Sequence, residues 1–313
     1  MASILTLTLN PTIDVSTSVE RLAPVHKLRC GPARRDPGGG GINVARVIHR
    51  LGGDVVAVYP AGGLIGALLH KLADDEGVQS RAVPIAEETR EDFTVAEETS
   101  GQQYRFVLPG PRLNESEWRA CLDAVLSFEG GRPQFIVASG SLPQGVPAEF
   151  FRALAKAARE KSAKLVVDST KPVLKAALEE GIHLIKPNLR ELRDLVDERL
   201  VSKEEWIGAS RRLIAANRVE HVALTLGERG ALLVTRDEAW FAEGLPVKSI
   251  SSVGAGDSFL GAMVWALNSR HSLPEALRYG IAAGSAAVLA PGTGLCSKDD
   301  VKRLLAEVKV EPA

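Results

Sequence analysis

Asp257 stands where this chain is best equipped for chemistry. It lies in residues 250–267, I-S-S-V-G-A-G-D-S-F-L-G-A-M-V-W-A-L, where small residues feed directly into an apolar, helix-forming run. A helix is expected to begin near Gly256, so its first turns offer backbone N–H groups with no acceptor of their own, and Gly254, Ala255 and Gly256 leave room for an approaching anion. Aligned peptide dipoles place roughly half a positive charge at that end, which stabilises charge developing on a transferred phosphoryl group. Asp257, in the same turn, is expected to be held ionised near neutral pH by the helix terminus, ready to accept a hydrogen bond from an attacking hydroxyl. An ordinary glycine-rich helix start with an aspartate cap would read the same from these residues alone.

A second stretch, residues 37–53, reads P-G-G-G-G-I-N-V-A-R-V-I-H-R-L-G-G. Its glycines allow close backbone approach to a ligand, and Ile42, Val44, Ala45, Val47, Ile48 and Leu51 supply the buried side of a helix that Asn43 opens. A flexible turn or a dinucleotide loop would also be glycine-rich.

The elements that must position these residues alternate between strand and helix. Leu5, Leu7 and Leu9 alternate with Thr6 and Thr8, predicting a first strand that stops at Asn10-Pro11 and leaves Asp14 at its C-terminal end. That edge collects ligands in open α/β sheets, although Asp14 could equally organise the turn after Pro11. Strands are expected over 54–59, 78–84, 134–138, 164–168, 183–186, 221–226, 231–235 and 239–241. Helices are expected over 64–75, 114–128, 148–161, from 189, and from 204 to Asn217. Helices over 256–268, 273–289 and 298–308 should pack on one side of the sheet. This alternation predicts an α/β fold with a mainly parallel sheet and right-handed crossovers. Two β-rich inserts interrupt it, about 15–36 and 88–109, the second being a hairpin through Thr99-Ser100-Gly101, and together they predict a small separate sheet able to cover the site as a lid. With no repeat or long linker, residues 1–313 are expected to form one domain carrying that lid.

Composition excludes other classes. The 313 residues are 45% hydrophobic and 25% charged, with 38 basic against 39 acidic side chains, so no global field favours nucleic acid or an anionic membrane. Three scattered cysteines, Cys30, Cys121 and Cys296, fit neither a disulfide framework nor a CxxC metal site and point to reduced thiols in a cytoplasm. The opening M-A-S-I-L-T-L-T-L-N-P shows no basic leader or cleavage site, and no apolar run reaches membrane-spanning length.

Taken together, the G-A-G-D turn and the glycine run resemble the paired signatures of the ribokinase-like sugar kinases, the PfkB family, and the likeness extends over nearly the whole chain. It implies a three-layer α/β/α fold in which Asp257 is the catalytic base and Gly254, Ala255 and Gly256 form the anion hole. Asp14, Gly38, Gly39, Asn43 and Ser139 then fall where the sugar is held. The family's K-P-N-x-x-E segment is matched by Lys186, Pro187, Asn188 and Glu191, implying contact with ATP and, through Glu191, an indirect contact with Mg2+; Asn188 and Glu191, three apart, can face one way at a helix start. Thr225, Gly227 and Gly230 match the nucleotide stretch, and Gly284 and Ser285 the bounds of the adenine. Where the general signature has aspartate, six residues before the catalytic one, Ser251 stands here. The change is common in the branch acting on sugar phosphates, and it loosens the inference of a K+ site, which would use carbonyls near Ser251, Val253, Ala287, Ala290 and Gly292.

Within that branch the chain looks most like the kinases of fructose 6-phosphate, whose marks are matched by Lys27-Leu28-Arg29-Cys30, four uninterrupted glycines, Gln103-Tyr104-Arg105-Phe106 and Ser139-Gly140-Ser141-Leu142-Pro143. Gly40 replaces a lysine usual in kinases of fructose 1-phosphate and tagatose 6-phosphate. Lys27, which the likeness also assigns to the nucleotide, Arg90 and Arg105 are the cations available to a sugar phosphate on the lid. The implied activity is ATP-dependent phosphorylation of fructose 6-phosphate at the 1-hydroxyl by a homodimer paired through its lids, with Arg90 reaching the neighbour's substrate. The alternatives are tagatose 6-phosphate or fructose 1-phosphate as substrate, or a non-catalytic sugar-phosphate sensor. A dinucleotide enzyme would need G-x-G-x-x-G after the first strand, where residues 10–15 read N-P-T-I-D-V.

Overall fold

In a computed structural model, which describes residues 3–128, 131–216 and 218–313, the chain builds one large and one small β-sheet. The large sheet runs β14 (Val310–Pro312), β13 (Ala239–Ala242), β12 (Ala231–Val234), β11 (Val219–Thr225), β10 (Ile182–Ile185), β9 (Lys164–Asp168), β8 (Phe135–Ser139), β1 (Ile4–Leu7), β4 (Val55–Ala61) and β5 (Gln79–Pro84). Strands from β11 through β5 pair in parallel, whereas β12, β13 and β14 are added antiparallel at one edge.

Alternation within the strands splits the core in two. Leu5 and Leu7 of β1, Ile136 and Ala138 of β8, and Leu165 and Val167 of β9 face helices α3 (Glu115–Leu126), α4 (Glu149–Glu160), α5 (Lys171–Leu178), α6 (Leu189–Val196) and α7 (Lys203–Ala215). Ile4, Phe135, Val137 and Val166 face the other layer, made of α1 (Gly40–Arg50), α2 (Gly63–Asp75), α8 (Ala255–Asn268), α9 (Leu273–Ala287) and α10 (Lys298–Leu305). Both faces of a parallel sheet are thereby covered, as its continuous apolar strands require. The last three helices lie on one side, as expected.

The small sheet has the order β3 (Arg34–Gly38), β2 (Thr12–Val19), β6 (Arg90–Glu97), β7 (Gln103–Phe106). Its first insert begins at Thr12 and ends at Gly38, wider than the expected 15–36. Asp14 therefore does not follow a core strand on a turn; it sits inside β2, paired opposite Asp36. Strand β1 ends at Leu7, short of the expected Asn10-Pro11, and directly after Pro11 the β-branched run Thr12–Val19 resumes as a strand in the other sheet. Helix α5 and strand β14 were also not anticipated; each is short, and an eight-residue or three-residue element shows too little periodicity to be seen. The expected end of the α7 segment, Asn217, lies outside the described residues.

Candidate active site

Four parallel strands that are neighbours in the sheet end in one row. Ser139 closes β8 and pairs with Asp168 at the end of β9; Lys186, Pro187 and Asn188 follow β10, and Thr225 closes β11. The row lies at the carboxyl edge, where strand ends and the following loops leave a crevice. Lys186 is buried and its Nζ is 3.1 Å from Asp168 Oδ1, while Ser139 Oγ donates to Asp168 Oδ2 at 3.3 Å. Asn188 and Glu191 cap α6 reciprocally, the Asn188 side chain accepting from Glu191 N–H at 2.9 Å and Glu191 Oε2 from Asn188 N–H at 2.8 Å. The pair does share one helix start, because each satisfies a backbone donor that the helix leaves free.

Helix α8 aims its N-terminus at this row. Gly254 caps it in the left-handed region at φ 76°, a conformation that turns the chain sharply into the helix at little cost for glycine, and a Cβ on Gly256 would lie 3.5 Å from Lys186 Nζ. Asp257, in the first turn, accepts from Asn43 Nδ2 at 2.9 Å. That bond joins α1 to α8 and depends on how closely the helices cross: a Cβ on Gly261 would be 2.9 Å from Val47 Cβ and 3.0 Å from Val44 O. Helix α1 starts at Gly40, three residues before Asn43, with Gly39 as its cap and Gly38 closing β3.

Burial, then the Asp168 carboxylate, raise the Asp257 pKa to about 6 against the Asn43 hydrogen bond and the Lys186 charge. The helix terminus is therefore not what sets its ionisation; desolvation dominates, and the carboxylate remains mostly ionised at pH 7 by about one unit. Burial works to lower the Lys186 pKa, but Asp168, with Asp257 and Glu191, lifts it above the usual value, so this ammonium stays charged. Burial likewise raises the pKa of Glu191.

The Asp14 carboxylate accepts from Thr293 Oγ1 at 2.8 Å, and burial raises its pKa to about 6 while Arg105, on the exposed strand β7, pulls it down. Arg90 is tied within its own chain: Nη1 donates to Leu108 O at 2.9 Å, Nη2 to Asn10 O at 3.4 Å, and Asp92 lies 3.4 Å away. Lys27 is exposed on the segment between β2 and β3. Gly227 and Gly230 flank the turn after Thr225, whose N–H donates to Pro187 O at 3.0 Å; Gly284 and Ser285 lie on α9, where a Cβ on Gly284 would be 3.4 Å from Ala255 O. Ser251 and Val253 precede α8. Val288 O accepts from Ile250 N–H at 2.7 Å and Ser251 N–H at 3.3 Å, which brings this stretch beside Ala287, Ala290 and Gly292.

Two residues outside the expected set organise the rest. Asp168 supplies the partner of Lys186. Arg46, wholly buried, donates through Nη1 to Pro37 O at 2.9 Å, Asn43 Oδ1 at 3.2 Å and Thr293 O at 3.2 Å, and pairs through Nη2 with Glu76 at 2.5 Å and Asp36 at 3.5 Å. The available signal for Arg46 was a lone cation on the buried face of α1, between Ala45 and Val47.

This fold and site define a sugar-kinase class of protein, and the chain belongs to the pfkB family of carbohydrate kinases, whose sequence pattern matches residues 6–300. ATP-dependent 6-phosphofructokinase isozyme 2 of Mycobacterium tuberculosis is 45% identical over 99% of this chain and 90% of its own. The protein of that name from Escherichia coli is 44% identical over 98% and 99%. The crystal structure of E. coli phosphofructokinase-2 in complex with fructose-6-phosphate superposes with a TM-score of 0.92 at 43% identity, covering 98% of this chain and 99% of that one.

Proposed function

We propose that this chain transfers the terminal phosphoryl group of ATP to the 1-hydroxyl of fructose 6-phosphate, giving fructose 1,6-bisphosphate. The observation that carries the reading is Asp257 held by Asn43 in the first turn of α8, with Lys186 at the same opening. A hydroxyl lying against Asp257 would donate its proton to Oδ1 or Oδ2 as it attacks, and the helix N–H groups and Lys186 would face the charge gathering on the transferred group. Asp14 and Asn43 are suited to hold the sugar from the two sides, and Arg90 and Arg105 to meet its phosphate. The small sheet serves as the lid that excludes water.

Three carboxylates, Asp168, Asp257 and Glu191, bear on the single ammonium of Lys186. That surplus of negative charge fits a divalent cation, and Glu191 and Asp168 would hold Mg2+, directly or through water. Bound Mg2+ would neutralise charge on the nucleotide phosphates. A K+ ion, present in one crystal structure of the E. coli relative, would use the carbonyls of the 251–253 and 287–292 segments.

Substrate choice rests on Gly40. A Cβ there would come within 2.3 Å of Ser139 Oγ and 2.9 Å of Gly140 N, so a lysine at this position would require the Ser139–Gly140 backbone to move. The loop that narrows the sugar end is thus built around glycine, which favours fructose 6-phosphate over the tagatose 6-phosphate and fructose 1-phosphate of lysine-bearing kinases; the 1-phosphofructokinase of Bacillus subtilis stands further off at 29% identity. The measured comparison is kcat/KM for fructose 6-phosphate, tagatose 6-phosphate and fructose 1-phosphate. Fructose 6-phosphate should lead, and a clear preference for either rival would overturn the assignment.

Assembly through the lids completes the reading. Phe93, Tyr104, Phe106, Val107 and Leu108 are exposed on and beside β6 and β7, a contiguous apolar surface that a second small sheet would cover. The E. coli relative has a tetrameric inhibited form. Free, unpaired Cys30, Cys121 and Cys296 support a cytoplasmic setting.

A further inference from the structure

The amino ends of β9, β10 and β11, the edge opposite the active site, frame a cavity of about 640 Å³. His183, Glu220 and His221 form one wall, with one potential ligand atom from each lying within 4.8 Å of the others. His183 Nδ1 is 2.7 Å from Glu220 Oε2, and the two imidazoles meet edge to face at 4.9 Å between centroids. His221 Nδ1 is buried and has no hydrogen-bond partner among the described residues. A buried ring nitrogen left unpaired is costly, so the arrangement calls for something that uses it.

We infer that His183, Glu220 and His221 form a second, non-catalytic site for a borderline divalent transition-metal ion of the Zn2+ type, reached through this cavity. Two imidazoles and one carboxylate are a donor set that selects such ions over Mg2+, and the open side of the cavity leaves a coordination position for water. A tetrahedral ion with bonds of about 2.0–2.1 Å needs ligand atoms roughly 3.3 Å apart, so the wider separations in the cluster must close while the 2.7 Å contact between His183 and Glu220 opens, the ion taking the place of the proton between them. The Glu220 side chain is 66% exposed and bonded to His183, so it can make that adjustment, while His183 is buried in the wall. Lys164, Arg159 and Arg236 in the lining oppose a cation here, but the Lys164 ammonium is drawn over the Phe135 ring, Arg159 is paired with Glu180, and Asp237 adds negative charge beside Glu220.

An ion at this place would pin β10 to β11. His183 on β10 is three residues before Lys186, which follows that strand, roughly 10 Å at the rise of a parallel strand, so the ion would brace the strand that leads to Lys186 against the one that ends in Thr225 without touching substrate.

The test uses the full chain freed of metal by chelation and titrated with Co2+. One equivalent should give the intense visible absorption of low-coordinate, nitrogen-ligated Co2+, distinct from the weak absorption of an octahedral oxygen site at the phosphate end. Zn2+ should displace it and raise Tm in a concentration-dependent way. His221→Ala should weaken binding at least tenfold and abolish the Zn2+-dependent rise in Tm, while leaving Mg2+-ATP turnover at the parent value. Glu220→Gln alters an exposed side chain, so it tests the site even if His221→Ala folds poorly, and it too should weaken Co2+ binding about tenfold. A Co2+ spectrum that stays weak and octahedral, or a titration unchanged in Glu220→Gln, would overturn the inference.

Discussion

Replacing Arg46 should damage both stability and turnover, and the two losses can be separated. The guanidinium is fully buried and faces Asp36 and Glu76, so Arg46→Met leaves two carboxylates short of a partner. Breaking a buried pair in this way costs about 3–5 kcal/mol. Here Arg34 still reaches Asp36 at 2.7 Å and Arg50 still reaches Glu76 at 2.7 Å, which puts the expected loss near the lower end, about 3 kcal/mol. The same side chain fixes Asn43 Oδ1, and through it the Nδ2 bond to Asp257. With Asn43 released, Asp257 loses the hydrogen bond that lowers its pKa, so the acid limb of the kcat profile should move to higher pH and kcat should fall on the order of tenfold, a fraction of what a full 1 Å displacement can cost. Denaturant melts give the first quantity, and kcat between pH 5 and pH 8 gives the second. Arg46→Lys, which keeps charge but not the fork, should recover stability more than it recovers the pH profile. If Arg46→Met loses several kcal/mol yet keeps the parent kcat and acid limb, Arg46 is a structural cation only and its link to Asp257 is wrong.

Three further outcomes follow from the same geometry. Because Asp257 must be unprotonated to accept a proton and has a pKa of about 6 in the free protein, kcat/KM should drop about tenfold per unit below that value; its raised pKa also means that its contribution to stability is greatest below pH 3.8 and is lost as pH rises through about 6, so Asp257→Asn should gain stability relative to the parent at pH 8 and lose that advantage near pH 4. Glu191→Gln should raise the Mg2+ concentration for half-maximal rate, and an unchanged Mg2+ titration in a folded variant would remove Glu191 from the metal's surroundings. Arg90→Ala should raise KM for the sugar phosphate roughly tenfold to a hundredfold and spare KM for ATP, as expected for a charge-assisted contact of about 1.5–3 kcal/mol; activity regained on mixing it with Asp257→Asn chains would mean that Arg90 serves the neighbour's site, whereas none regained despite subunit exchange would leave it serving its own, beside Asn10 and Leu108.

Much of the fold was legible because most strands of the large sheet are short apolar runs, such as Phe135–Ser139 and Ile182–Ile185, and its helices carry a buried face. Alternation alone puts the loop after Ser139 at the carboxyl edge of the sheet, whereas Lys186 and Thr225 are assigned to the site through the family resemblance. What escaped were relations between distant segments. Asp168 ends a strand whose residues K-L-V-V-D were read correctly, but nothing in them says that a lysine 18 positions later will lie 3.1 Å away. The position of Asp14 was misread for a related reason, since a strand leaving the core for a second sheet keeps the same local pattern. Desolvation of Asp257 could not be read either, because it depends on α1 and α8 crossing at Gly261.

The most direct test of the account is kcat for Asp257→Asn with MgATP and fructose 6-phosphate, measured on protein whose fold and ATP affinity match the parent. Removal of a positioned proton acceptor should lower kcat about 10² to 10⁴-fold. A folded variant that kept half the parent rate would contradict the assignment of Asp257 as the base, and with it the reading of this site.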